Sequence, residues 1–257
     1  MSKRAFGLVD KILHRLVMHR WKRMAGLADQ VSLDALRRVR LRALEIRQAT
    51  DRVLFVSNGR LALPLIGSNT FPKPLHSDWS WRPQLWRGPI FPPGQAGVES
   101  KTVFGDEVTL FHDCRVSEIT VRQLRNTLED DLSPFGMRVD VFKFDGSFLS
   151  LVIEMPESAM RGLNRKHLLR MNAVIETEKP LEIFARVNIQ HGPNTEQMVR
   201  ELPIADKELS VDFDLAYTKL NEKRVERAWI DLIFEGPEMN QVMLRDVNFS
   251  RRPRAEV

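Results

Sequence analysis

Apolar residues recur every third or fourth position through the first sixty residues and every second position from about Val103 onward. The chain therefore reads as a helical part followed by a strand-forming part. Phe6, Val9, Ile12, Leu13, Leu16, Val17, Trp21 and Met24 make one stripe, which predicts an amphipathic helix over 5–25. Lys11, Arg15, Lys22 and Arg23 lie mostly off that stripe. Ser32 offers an N-cap for a second helix, with Leu36, Val39, Ala43, Ile46 and Val53 on its apolar side. That helix is expected to run to about Ser57 and stop at Asn58-Gly59. Each stripe needs cover, so the two predict an α-helical hairpin.

Residues 64–93 break both periods. They hold seven of the fourteen prolines, so neither a long helix nor a central strand fits. They also carry Trp79, Trp81 and Trp86, too much aromatic surface for a disordered linker. The expectation is an extended strap that packs its rings on the neighbouring domain.

Beyond the strap, Leu181, Ile183, Ala185, Val187 and Ile189 alternate with polar residues, and so do Leu209, Val211, Phe213, Leu215 and Tyr217. Such segments are half-buried antiparallel strands. Asp145-Gly146, between two apolar runs in 139–149, signals a hairpin. Further strands are expected over 168–176, 226–234 and 241–250, the last two joined through Gly236-Pro237. A helix is expected near 121–131, where Thr120 and Gln123 suggest a capping box. Residues 195–203 read as an edge strand, with a helix capped near Asn194 as the alternative. The fold class that results is mainly β: an antiparallel jelly-roll-like β-sandwich with an N-terminal α-helical hairpin. The expected domains are a basic hairpin over 1–60, a Pro/Trp strap over 61–102 and the sandwich over 103–257.

Charge changes the picture in one respect. Residues 1–60 hold fourteen Lys/Arg against five Asp/Glu, whereas the remainder is net negative by four. The asymmetry suits an anionic membrane surface or an acidic partner for the helices, or else the acidic body of the same chain. No nucleic-acid motif accompanies the basic charge, so nucleic acid is set aside as a partner. The single cysteine, Cys114, excludes a disulfide framework and points to a reducing compartment. With no secretion-type apolar segment, the expected location is cytoplasmic, at or away from the inner-membrane surface.

Candidate chemistry is sparse. His112 and Cys114 share one face of a strand, which makes a Cys–His nucleophile geometrically conceivable, although a buried structural cysteine explains the pair as well. Asp212 and Asp214, with Asp231, Glu235 and Asp246, are hard oxygen donors that could hold Ca²⁺, although solvated surface carboxylates explain them better. No zinc spacing or phosphate loop is present, and no cofactor, metal or catalytic residue is assigned. Asn188, Gln190, His191, Asn194 and Gln197 form a polar group whose amides and imidazole both donate and accept, as sugar hydroxyls require. Trp79, Trp81 and Trp86 are the candidate stacking rings, with burial in the core as the competing role.

Several segments carry a resemblance: Gly59-Arg60-Leu61-Ala62-Leu63-Pro64, Asp78-Trp79-Ser80-Trp81-Arg82-Pro83 and Phe111-His112-Asp113-Cys114-Arg115. Others are His191-Gly192-Pro193-Asn194-Thr195-Glu196-Gln197 and Phe234-Glu235-Gly236-Pro237-Glu238-Met239-Asn240. With them the chain resembles an alphaproteobacterial domain-of-unknown-function family over nearly its whole length, a likeness that brings no activity or site. The strands over 209–250 are similar to the closing strands of galactose-binding-like and carbohydrate-binding jelly rolls. Together these features lead to a non-catalytic binding module for a glycan or glycoconjugate, with Trp79, Trp81, Trp86, Asn188, Gln190, His191 and Asn194 as candidate ligand contacts. The alternative is an interaction protein docking through residues 1–60 on a protein partner or an anionic membrane.

Overall fold

The alternating segments form two antiparallel sheets in the computed structural model of the chain, which describes residues 8–62, 71, 73–128, 131–203 and 208–254. The strands are β1 (Trp79–Trp81), β2 (Gly94–Ala96), β3 (Thr102–Phe104), β4 (Val108–His112), β5 (Ile119–Arg125), β6 (Phe135–Val141) and β7 (Leu149–Glu154). They continue as β8 (His167–Thr177), β9 (Glu182–His191), β10 (Asn194–Glu201), β11 (Glu208–Asp214), β12 (Val225–Glu235) and β13 (Asn240–Pro253). One sheet has the order β11-β8-β13-β6-β5-β2 and the other β10-β9-β12-β7-β4-β3. Within them, β6 to β13 follow a single winding rule. The first sheet holds β11-β8-β13-β6 and the second β10-β9-β12-β7, so the first and last strands of the eight are neighbours. Folding a long hairpin over on itself produces this order, that of an eight-strand jelly roll.

The core lies between the sheets and follows strand parity. Ile183, Ala185, Val187 and Ile189 of β9 face Leu209, Val211 and Phe213 of β11 and their neighbours across it, all at or below 9% exposure. Burying such side chains stabilises by about 1.5–3 kcal/mol each. The expected strand over 195–203 is β10, and that over 241–250 is the longer β13. The alternation of 209–217 ends early: after Asp214 the chain turns into a 3-10 helix, Leu215–Tyr217, where Asp214 accepts from Ala216 N–H.

Two expectations are corrected. The helix expected near 121–131 is absent from its described residues, because 119–125 form β5. Gln123 points inward there and accepts from Ile90 N–H while donating to the carbonyls of Leu85 and Gly88, so it holds the strap's backbone. Nor is Asp145-Gly146 a hairpin turn: β6 and β7 lie in opposite sheets, so 142–148 is a crossing loop. The glycine is needed for space, because a Cβ there would sit 2.6 Å from Asp113 Oδ1 and 3.0 Å from Cys114 Sγ.

The strap belongs to the sandwich. β1 pairs with the end of β13 (Trp79 opposite Arg251, Trp81 opposite Phe249), beyond the point where β6 leaves that side of β13. Trp86 sits on a one-turn helix, Gln84–Arg87, and is fully buried, its indole N–H donating to Leu244 O at 3.0 Å. Arg82 turns the other way, onto the outer face of the first sheet, and forks onto Asp246 at 2.8 and 2.7 Å. Its guanidinium lies 4.9 Å from the Phe71 ring centre. Nearby, Arg251 donates two hydrogen bonds of 3.0 Å to the Asp78 carboxylate, and His167 stands 3.5 Å from Asp78.

Two helices precede the strap, Leu8–Leu27 and Leu33–Ala62. Residues 5–7, Phe6 among them, and Pro64 lie outside the described residues. The second helix continues through Asn58-Gly59 rather than stopping there. Compact units cover Met1–Arg52 and Val53–Val257. In the helical unit, half-buried positions such as Trp21, Met24, Leu36 and Val39 flank the turn, while Leu13, Leu16 and Val17 are 48–63% exposed. Among the described residues, no helix is long and apolar enough to cross a membrane.

Candidate ligand-binding face

The strap lies on the first sheet, so the outer face of the second sheet is where parity can be followed into a site. Four transverse rows run from the strand ends near β10 to those near β4. Phe184, Ile233, Ser150 and Phe111 form the first row, and Val199, Arg186, Asp231, Val152 and Thr109 the second. The third is Gln197, Asn188, Trp229 and Glu154, and the fourth Thr195, Gln190 and Arg227. Phe148, one step before β7, extends the outward column of that strand beyond the first row.

A charged cluster ties the middle rows together. Arg186 Nε donates to Asp231 Oδ2 at 2.7 Å, and Asn188 Nδ2 donates to the same oxygen at 3.0 Å. Asn188 Oδ1 accepts from Gln197 Nε2 at 2.9 Å. Asp231 is buried, and two donors on one carboxylate oxygen offset the desolvation of its charge. One row further on, Trp229 is half-buried, with the Arg227 guanidinium 4.8 Å from its ring centre. Glu154 holds that guanidinium with a bidentate pair, the Nη2 bond being 2.6 Å. Arg227 therefore latches over one face of the indole. Gln190 beside it is half-buried and, among the described residues, its side chain makes no hydrogen bond. A cleft of about 380 Å³ opens at the other end, lined by Phe111, Phe148, Ser150, Val152, Arg186, Asp231 and Ile233.

The structure divides the seven candidate contacts between several places. Asn188 and Gln190 share the outer face, although Asn188 is buried under its hydrogen bonds. His191 points the other way, into the sandwich, where it is 5% exposed and Nδ1 accepts from Asn221 N–H at 3.4 Å. Asn194 is exposed opposite His191 in register, so its side chain lies on the face away from Gln190. Trp79 and Trp81 stack at 6.3 Å and Trp81 on Phe249 at 5.7 Å, on the core side of β1. Trp79 donates to Ser158 Oγ at 3.1 Å. Trp86, enclosed in the core, presents no ring face to a ligand. Trp229 is the aromatic that stands beside Gln190, and parity pointed to it: with Ile230, Leu232 and Phe234 inward, residue 229 must face outward.

The Cys–His pairing does not form. His112 ends β4 facing the core, where Nε2 donates to Val98 O at 2.8 Å and Nδ1 accepts from Cys114 N–H at 3.2 Å. Both ring nitrogens are thus engaged, neither with the thiol, and burial pushes the Cys114 thiol above its ordinary pKa. The four aspartates considered for Ca²⁺ face guanidinium groups instead. Arg170 forks onto Asp212 with two bonds of 2.6 Å, Arg254 stands 3.5 Å from Asp214, and Asp231 and Asp246 are held by Arg186 and Arg82. The Arg170 hydrogen bonds hold Asp212 below the usual carboxylate range despite its partial burial.

Comparison with solved structures finds similarity only at a low level. A carbohydrate-binding module of family 11 from Clostridium thermocellum, in complex with a β-1,3-1,4-mixed-linked tetrasaccharide, is 12% identical (TM-score 0.40), the match covering 64% of this chain and 98% of that one. A putative sugar binding protein from Bacteroides thetaiotaomicron is also 12% identical (TM-score 0.33), covering 62% and 94%. The enzymatically active domain of a bacteriophage CBA120 tailspike protein is 8% identical (TM-score 0.41), covering 56% of this chain and only 19% of that chain. Likeness at this level assigns neither a shared fold nor a ligand. No curated protein matches the sequence. The match that covers the whole chain is to a family model: over residues 1–257 the protein belongs to the family described as "Family of unknown function (DUF6478)".

Proposed function

We propose that the sandwich is a non-catalytic binding module for a glycan or glycoconjugate, held on the outer face of the β10-β9-β12-β7-β4-β3 sheet. The observation that carries this reading is the third and fourth rows of that face. An indole, Trp229, stands among Gln190, Gln197 and Thr195, on rigid strands and away from the strap. Amides and hydroxyls donate and accept at once, as sugar hydroxyls do, and an aromatic ring covers the apolar face of a pyranose. Sugar stacking on the latched side requires Arg227 to swing off, which costs about 0.5–1 kcal/mol of cation–π energy at an exposed site. A broad glycan array followed by calorimetry tests the reading. Trp229→Ala and Gln190→Ala are expected to abolish or weaken binding at least tenfold, and Arg227→Ala to leave it intact or tighten it. An array with no retained glycan, or binding indifferent to Trp229→Ala, refutes it.

A second reading concerns the helical unit. Leu13, Leu16, Val17 and Met18 are 43–63% exposed along Leu8–Leu27, and Arg15, Lys22 and Arg23 are exposed on the same helix. A basic amphipathic helix with its apolar stripe uncovered suits the surface of an anionic membrane, which implies a peripheral location at the inner membrane. Co-sedimentation with phosphatidylserine vesicles is expected for the full chain and to be lost on Leu16→Asp or on Lys22→Glu with Arg23→Glu. Equal, negligible sedimentation of all three removes the membrane reading.

A further inference from the structure

We infer that the ligand of this face is amphipathic, a sugar joined to an acyl or aryl aglycone, with the apolar part in the Phe111–Phe148–Ile233 cleft. The inference rests on the glycan reading and deepens it. It comes from the gradient along the strands. Side chains at one end are Phe111, Phe148, Val152, Phe184 and Ile233, and those at the other are Trp229, Gln190, Gln197 and Thr195. Both ends belong to one face, and Ile233 and Trp229 stand four residues apart on β12, a separation of about 13 Å at strand rise. A ligand whose sugar rests at Trp229 therefore directs its next group along the strands into the cleft.

The cleft's chemistry says what that group is. Its volume of about 380 Å³ falls in the lower part of the small-molecule range. Its walls are Phe111, Phe148, Val152 and Ile233, and its polar lining is Ser150 with Arg186 and Asp231, the last two paired with each other. A second sugar ring placed there would set hydroxyls against four apolar side chains, and each one buried without a partner costs of the order of 1–3 kcal/mol. An alkyl chain or phenyl ring loses nothing by leaving water. Phe148 is 43% exposed at the rim, an apolar surface without cover.

Alkyl β-D-glucosides from methyl through octyl, each below its micelle concentration and titrated into the full chain, test this. Burial of each methylene is worth roughly fourfold in affinity, so octyl is expected to bind at least tenfold more tightly than butyl, and butyl more tightly than methyl. Phe148→Ser and Ile233→Thr should flatten that dependence and leave the methyl glucoside unchanged, whereas Trp229→Ala should weaken every member by the same factor. Affinity independent of chain length overturns the aglycone site and leaves the sugar reading standing. So does a chain-length gain that survives both cleft substitutions. Failure of octyl glucoside to bind while an array glycan does also overturns the aglycone site. Failure of glucosides and array together overturns the sugar reading itself.

Discussion

Arg82→Met offers the sharpest test of how the strap is held. The Arg82–Asp246 pair is almost wholly enclosed, its side chains 1% and 5% exposed, with two charge-assisted bonds of 2.8 and 2.7 Å. Removing the cation leaves a buried carboxylate, which typically costs 3–5 kcal/mol. Asn248 Nδ2, at 3.1 Å from Asp246, remains as a donor, so the lower figure of about 3 kcal/mol applies. Loss of the guanidinium over Phe71 adds about 0.5–1 kcal/mol. Together they should lower Tm by about 7–16 °C for a unit of this size. Urea unfolding followed by tryptophan fluorescence reads the same loss as a lower midpoint with an unchanged m-value, since Trp79, Trp81 and Trp86 all lie at this seam. Arg82→Met with Asp246→Leu removes both charges and should recover to within about 1 kcal/mol of the parent. The reasoning fails if the single variant loses less than about 1 kcal/mol, or if the double variant is as unstable as the single one.

Gly146→Ala should cost about 1–3 kcal/mol in urea unfolding, because its Cβ would strike Asp113 Oδ1 and Cys114 Sγ; a loss under about 0.5 kcal/mol would contradict the crossing-loop geometry. His167 is held below the ordinary imidazole pKa by burial first and by the Arg251 charge second. The unfolded chain therefore takes up the proton more readily, so this contribution to stability is complete above about pH 6.5 and fades as pH falls through the folded value. His167→Gln should flatten that part of the stability profile, and an unchanged profile counts against it. Alkylation of Cys114 by iodoacetamide should stay slow through neutral pH and ignore His112→Gln; a rate that rises between pH 6 and 7 and vanishes in the variant would reinstate the nucleophile.

What could be read from the chain, and what could not, divides by where each residue's partner lies. The alternation in β9 and β11 was legible because its partner is the core as a whole, which any apolar residue satisfies. β5 was hidden by Gln123, an inward polar residue that makes sense only once the carbonyls of Leu85 and Gly88 are beside it. Asp145-Gly146 carries a local hairpin signal that the winding of the sheets overrides. The inward place of His191 and the outward place of Trp229 are a different case. Parity within their own strands assigned the first inward and the second outward, and grouping residues by polarity obscured it. The aromatic strap shows the limit of composition. Its three tryptophans pack into or against the sandwich core, and the indole on the candidate face is Trp229 of β12.

The place of β13 has a consequence for how the chain is made. Its one side carries β8 along most of its length, and its other side carries β6 and then β1. While the ribosome delivers the chain from its N-terminus, β1, β6 and β8 all emerge before the strand that joins them exists. Until Pro253 follows, the first sheet is three separate edges, each with unpaired backbone donors and acceptors. Folding that must wait for such distant pairings is slow, and a chain stalled or truncated before residue 240 is left with a sheet open down its middle, the kind of edge that aggregates or is degraded.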